Sequence, residues 1–150
     1  MIYVRTTPGA KMASQNIYLV MMGSLCLIVA LIEAWLLVAV FSSDDSPVSR
    51  IVPGRQDLLR SHIDYLMMSQ FLFVFFMLYR TLEVTPPVWL VAAICIGSFF
   101  NPFAFLVRAV KPAYKTNAPT AFTGMITISC LLTTAGYGYS AWLFASAVLR

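Results

Sequence analysis

Four stretches of this chain, residues 17–41, 61–79, 88–107 and 120–149, are almost wholly apolar for 19 residues or more. A helix needs about 20 such residues to cross the hydrocarbon core of a bilayer. Long unbroken runs of this kind, in place of narrow amphipathic stripes, predict an all-α fold: an integral membrane four-helix bundle, with residues 1–150 as one domain. Composition agrees. Of 150 residues, 60% are hydrophobic and 11% charged, whereas soluble domains run at about 45–50% and about 25%. The mean hydropathy is +0.81. Lipid is therefore the expected solvent and the first expected partner.

The first run starts at Ile17 and continues for some 25 residues without a small-residue cleavage site, too long for the core of a signal peptide. It is expected to stay in the membrane. Cys26, Cys95 and Cys130 each fall in a different run, so they form no CxxC metal pair and no evident disulfide framework; they read as small apolar fillers. The net charge of +4 comes from cations clustered in the connections. A nucleic-acid footprint needs them on a soluble surface, so anchoring to lipid headgroups is the expected role, with no nucleic-acid partner.

Ser14, Gln15 and Asn16 are placed to cap the first helix, and Ser42-Ser43-Asp44-Asp45-Ser46-Pro47 to stop it. A loop of about 18 residues follows, the only long connection. Residues 57–62 mix charge with apolar groups and are expected at the interface as the second helix begins. Pro86-Pro87 suits a helix start. Asn101-Pro102 interrupts the third run and predicts a kink. Gly124, Ala135, Gly136, Gly138, Ser140 and Ala141 give the fourth a small-residue side, expected in a bundle or subunit contact. Trp35, Trp89 and Trp142 lie near run ends, as in an aromatic belt. Lys and Arg number six on the long-loop side and four on the terminal side, a margin that leaves orientation open.

Ionisable groups inside a membrane are costly, about 2.5–3.5 kcal/mol at a helix centre, and so mark candidate sites. Here they are Glu33, His62 and Asp64, joined by uncharged Gln70 and Asn101. His62 shares a helix face with Tyr65, Ser69, Phe73 and Phe76. Its imidazole suits two readings: an interfacial group bonded to backbone or headgroup, or a metal ligand. Arg60 precedes Asp64 by four residues, which predicts an ion pair. Glu33 reads as a proton-coupled carboxylate, a partner for a cation, or a satisfied neutral acid. One histidine supports neither a Ser-His-Asp site, nor a zinc triad, nor a di-iron bundle. A haem held by one axial histidine remains available.

Lys11-Met12-Ala13, Val52-Pro53-Gly54, Arg60-Ser61-His62, and Asn101 with Phe105-Leu106 and Pro112 resemble the pattern of the styrene oxide isomerase family. His62-Ile63-Asp64 is similar to the opening of the hydroxylaminobenzene mutases. The resemblance spans about residues 11–115 and implies a bacterial inner-membrane homotrimer holding haem b, with His62 as axial ligand. It implies an isomerase whose ferric iron acts as Lewis acid on an epoxide or N–O oxygen of a small apolar or aromatic substrate, giving an aldehyde by a 1,2-shift. Asn101 and Tyr65 would then serve the reaction, and Arg60 and Ser69 would help hold the cofactor. Met68, Gly97 and Phe105 stand where those isomerases carry Asn, Asp and Tyr. Arg60-x-His62-x-Asp64 is also similar to the run opening the second helix of the membrane-associated eicosanoid and glutathione enzymes. Glu33, finally, resembles the single first-helix glutamate of small multidrug transporters.

Overall fold

The structure is a computed structural model that describes residues 8–42 and 47–149. All regular structure among them is helical: α1 is Pro8–Ser42, α2 Pro47–Ile51, α3 Arg55–Thr81, α4 Val88–Val110 and α5 Thr120–Val148, with a 3-10 turn at Pro112–Lys115. Ile17–Ser42 within α1, together with α3 and α4, gives three helices long and apolar enough to cross a membrane, the make-up of a membrane protein. α5 is as long, at 29 residues, but its Ser, Thr, Gly and Tyr dilute its apolar character.

Two expectations about the connections are corrected. α1 does not start at Ile17 behind caps at Ser14, Gln15 and Asn16; it begins at Pro8 and runs through all three. Proline is well suited to a first helical position, where the amide it lacks has no partner anyway. The long connection is also not a plain loop, because α2 forms within it and Val52 is buried against Leu37, Val40, Leu58 and Ala109. Of the expected stop signal, Ser43, Asp44, Asp45 and Ser46 lie outside the described residues. Gly54 then brings the chain against the end of α4: its amide donates to the Ala109 carbonyl at 2.9 Å. A Cβ at Gly54 would stand 2.7 Å from Ala109 Cα, so only glycine allows the approach.

α1 and α3 pack along a seam of seven-residue period. The buried positions on α1 are Leu19, Gly23, Cys26, Ala30, Glu33, Leu37 and Val40; on α3 they include Leu58, Ser61, Tyr65, Met68, Leu72, Phe75 and Tyr79. Alternating steps of three and four keep one stripe facing a partner helix at a shallow crossing. Small residues on α1 let α3 come close, and the Phe73 ring fills the space beside Gly23. In lipid, where expulsion of water does not drive helices together, such van der Waals contact is the main adhesive.

α4 packs on both α3 and α5. The α4–α5 contact is backbone to backbone: a Cβ on Gly97 would meet Thr133 N at 2.7 Å, and one on Gly136 would meet Ile94 Cγ1 at 2.8 Å. α5 reaches α3 through long side chains, with Tyr137 and Phe144 edge-on to Phe75. The Tyr79 hydroxyl donates to Ser140 Oγ at 2.6 Å, and Ser140 in turn donates to the Gly136 carbonyl. Only Ser129, Gly136 and Ser140 are buried on α5. The small-residue side thus divides: Gly136 and Ser140 serve the contact with α4 and α3, while Gly124 and Gly138 face open space. Despite Pro102, α4 continues as one helix to Val110. Trp35, Trp89 and Trp142 are all well exposed, as anchors at a membrane interface require.

Candidate functional site

The opening turns of α3 hold two buried polar side chains, Asp57 and Ser61. Asp57, almost fully buried in the first turn, suits the positive end of the helix dipole. Its Oδ2 receives Lys115 Nζ at 2.7 Å from the 3-10 turn, and Arg60 Nη1 lies 3.7 Å from Oδ1. Arg60 therefore pairs back to Asp57 and not forward to Asp64 as expected. The burial of Asp57 explains the choice, because a sealed carboxylate needs a cation more than a part-exposed one does. Asp64 has no ion pair among the described residues.

One turn further on, Ser61 Oγ donates to Glu33 Oε1 at 2.7 Å and lies 3.2 Å from the Pro102 carbonyl, tying α1, α3 and α4 at one point. Glu33 is thus a seam residue. Its other oxygen, Oε2, is buried without a partner among the described residues.

His62 is half-buried, and its Nδ1 lies 2.9 Å from the Ala30 carbonyl of α1. A carbonyl oxygen can only accept, so Nδ1 carries the proton and donates. That bond selects the tautomer and orients the ring, leaving Nε2 as the basic nitrogen with no partner among the described residues. A backbone carbonyl behind one ring nitrogen and a metal ahead of the other is the usual arrangement of ligating histidines. Leu59 and Ile63 beside it are exposed, so the ring stands among apolar side chains near the outer surface of the helix pair. The donor chemistry fits one axial bond to a haem iron.

The other expected site residues are not gathered around that nitrogen within one chain. Tyr65 is fully buried and its hydroxyl donates to the Phe99 carbonyl at 3.1 Å. Ser69 is buried. Asn101 turns toward α5, where Oδ1 accepts from Cys130 Sγ at 3.4 Å. Cys130 is itself exposed, so the filler reading holds for Cys26 and Cys95 alone. Arg60, 63% exposed at its side chain, is the one charged neighbour of His62 free to reach an outside anion.

Met68, Gly97 and Phe105, which replace polar residues of the resembled isomerases, have structural duties here. Met68 Sδ accepts from the Tyr137 hydroxyl, which also bonds Ser98; Gly97 admits α5; Phe105 lies under the Arg108 guanidinium. Among the described residues no three His, Cys, Asp or Glu side chains converge on one point. Two apolar grooves open elsewhere, one of about 910 Å³ between α1 and α4 and one of about 470 Å³ between α4 and α5. Sequence reasoning missed Ser61 and the Ala30 carbonyl, though Ser61 adjoins His62 and Ala30 lies three residues before Glu33. No family model matches the chain, and neither does any curated protein or solved structure.

Proposed function

We propose that this chain is a four-span protein of a bacterial inner membrane that binds haem b through His62, at a contact between copies in a homotrimer, and acts as an isomerase on a small apolar substrate. The observation that supports this is the 2.9 Å bond from His62 Nδ1 to the Ala30 carbonyl, which leaves Nε2 as a donor fixed in tautomer and direction. The resemblance of Arg60-Ser61-His62 to the styrene oxide isomerases sets the class of reaction.

Bound there, haem b supplies a ferric Lewis acid for an epoxide or N–O oxygen. The chain's own residues account for the rest. His62 would hold the iron through Nε2. The Ala30 carbonyl keeps the Nδ1 proton in place, which raises the basicity of the ligating nitrogen. Arg60 offers a guanidinium to a propionate, in the forked geometry that carboxylates favour. Leu59 and Ile63, exposed and apolar, would help keep water from a haem held there. Tyr65 and Ser69 are buried within one chain and would act from behind the helix surface.

The test is the absorption spectrum of protein purified in detergent after expression with added haem. A Soret band is expected in the wild type and its loss in His62→Ala, with helicity by circular dichroism unchanged. A wild type without pigment, or a pigmented His62→Ala, refutes the reading.

A further inference from the structure

Along the outward side of α3, Ile63, Met67, Phe71, Val74 and Met77 are all exposed and recur at steps of three and four. Gln70 is exposed among them and has no hydrogen bond to any described residue. It sits at the midpoint of the apolar run 61–79, so its carboxamide falls near mid-bilayer. Two N–H donors and a carbonyl oxygen there meet only hydrocarbon, which can satisfy none of them. The backbone groups of nearby helices are already paired within their own ladders.

A carboxamide is complementary to itself, since one copy's N–H matches another's oxygen. The charges at the entrance to the stripe have the same property. Arg60 is mostly exposed, its pairing with Asp57 stretched to 3.7 Å, and Asp64, one turn deeper, has no ion pair among the described residues. Between parallel helices a long arginine side chain can reach an acid one turn further along the neighbour, as flanking charges do in a parallel coiled coil.

We infer that a second copy of this chain covers this face. Copies inserted in the same orientation bring equivalent residues to equal depth, so Gln70 meets Gln70. Each Nε2 donates to the next copy's Oε1, and Arg60 of one copy faces the neighbour's Asp64. The inference does not rest on haem: it names which surface joins the copies, whether or not they carry pigment.

The experiment is energy transfer between labelled chains in liposomes, with cysteine cross-linking as a second readout. Gln70→Leu keeps the run apolar and helical, and it is expected to weaken association about fivefold, the effect of one interhelical hydrogen bond in a membrane. In a chain whose three native cysteines are replaced by alanine, Gln70→Cys and Val74→Cys are expected to cross-link copies on oxidation, and Trp35→Cys on α1 is not. A monomeric wild type, unchanged association in Gln70→Leu, or cross-linking as strong at Trp35→Cys as at Gln70→Cys each overturns the inference.

Discussion

Gly97 and Gly138 both lie inside helices, yet a methyl group has opposite consequences at the two. At Gly97 the new Cβ would stand 2.5 Å from Thr133 Oγ1, 2.7 Å from Thr133 N and 3.1 Å from Thr133 Cα. A side chain can rotate away, but a backbone nitrogen cannot, so α5 must move outward by about 1 Å to restore normal contact. Overpacking of this kind costs about 1–3 kcal/mol, and the rigid neighbour places Gly97→Ala at the upper end. The helix itself gains about 1 kcal/mol when Gly becomes Ala, which leaves a net loss of about 2 kcal/mol. At Gly138 nothing lies within 4 Å of the added Cβ, so only the helix term remains and Gly138→Ala should gain about 1 kcal/mol. Unfolding in mixed micelles titrated with dodecyl sulfate measures both, with tryptophan emission as the probe. Trp89 of α4 lies 5.5 Å from the Tyr139 ring of α5 and reports separation of the two helices. If Gly97→Ala proves as stable as the wild type, or if the two variants shift together, the close α4–α5 approach is wrong.

Two further outcomes follow from single contacts. Glu83 is exposed and holds φ at 53° just past the end of α3, a left-handed conformation that costs a side chain about 1–2 kcal/mol, so Glu83→Gly should stabilise the protein by about 1 kcal/mol in the same titration. Asp57→Ala removes the partner that holds Lys115; it should cost about 1 kcal/mol, given how exposed the lysine is, and should speed tryptic cleavage after Lys115, whereas an unchanged cleavage rate would show that the ion pair does not secure the 3-10 turn.

The apolar helices were legible because length and hydropathy are properties of a run as a whole. What hydropathy hid was the contact stripe within a run. On α1, Ile28 and Cys26 are both apolar, yet Ile28 is exposed and Cys26 is sealed. In lipid, residue size marks the interface better than hydrophobicity does, so the spacing of Gly23, Cys26 and Ala30 was the available signal. Glu33 at the next seam position then reads as a register mark facing Ser61, in the way a buried polar residue aligns a coiled coil. Boundaries were less legible: caps at Ser14–Asn16 were plausible locally, but a helix continues through such residues when nothing breaks it. Of the site, His62 stood out as the lone imidazole. Its carbonyl partner did not, because backbone acceptors carry no sequence signature. Tyr65 and Ser69 share its face by periodicity, but they are sealed while His62 stays half-buried, a matter of tertiary packing that spacing alone does not decide.

The way α5 is held bears on how the protein is made. Of the helices that precede it, each later long helix packs most on the last one: α3 on α1, α4 on α3, and α5 on α4. A chain emerging from the ribosome therefore presents α3, α4 and α5 each to a partner already made. α5, made after the other three, needs no rearrangement of the earlier helices, only the groove beside Gly97 where its own Thr133 and Gly136 can settle. Its weaker hydropathy is consistent with that order, since a segment that settles on a preceding helix can rely on protein contact in place of lipid.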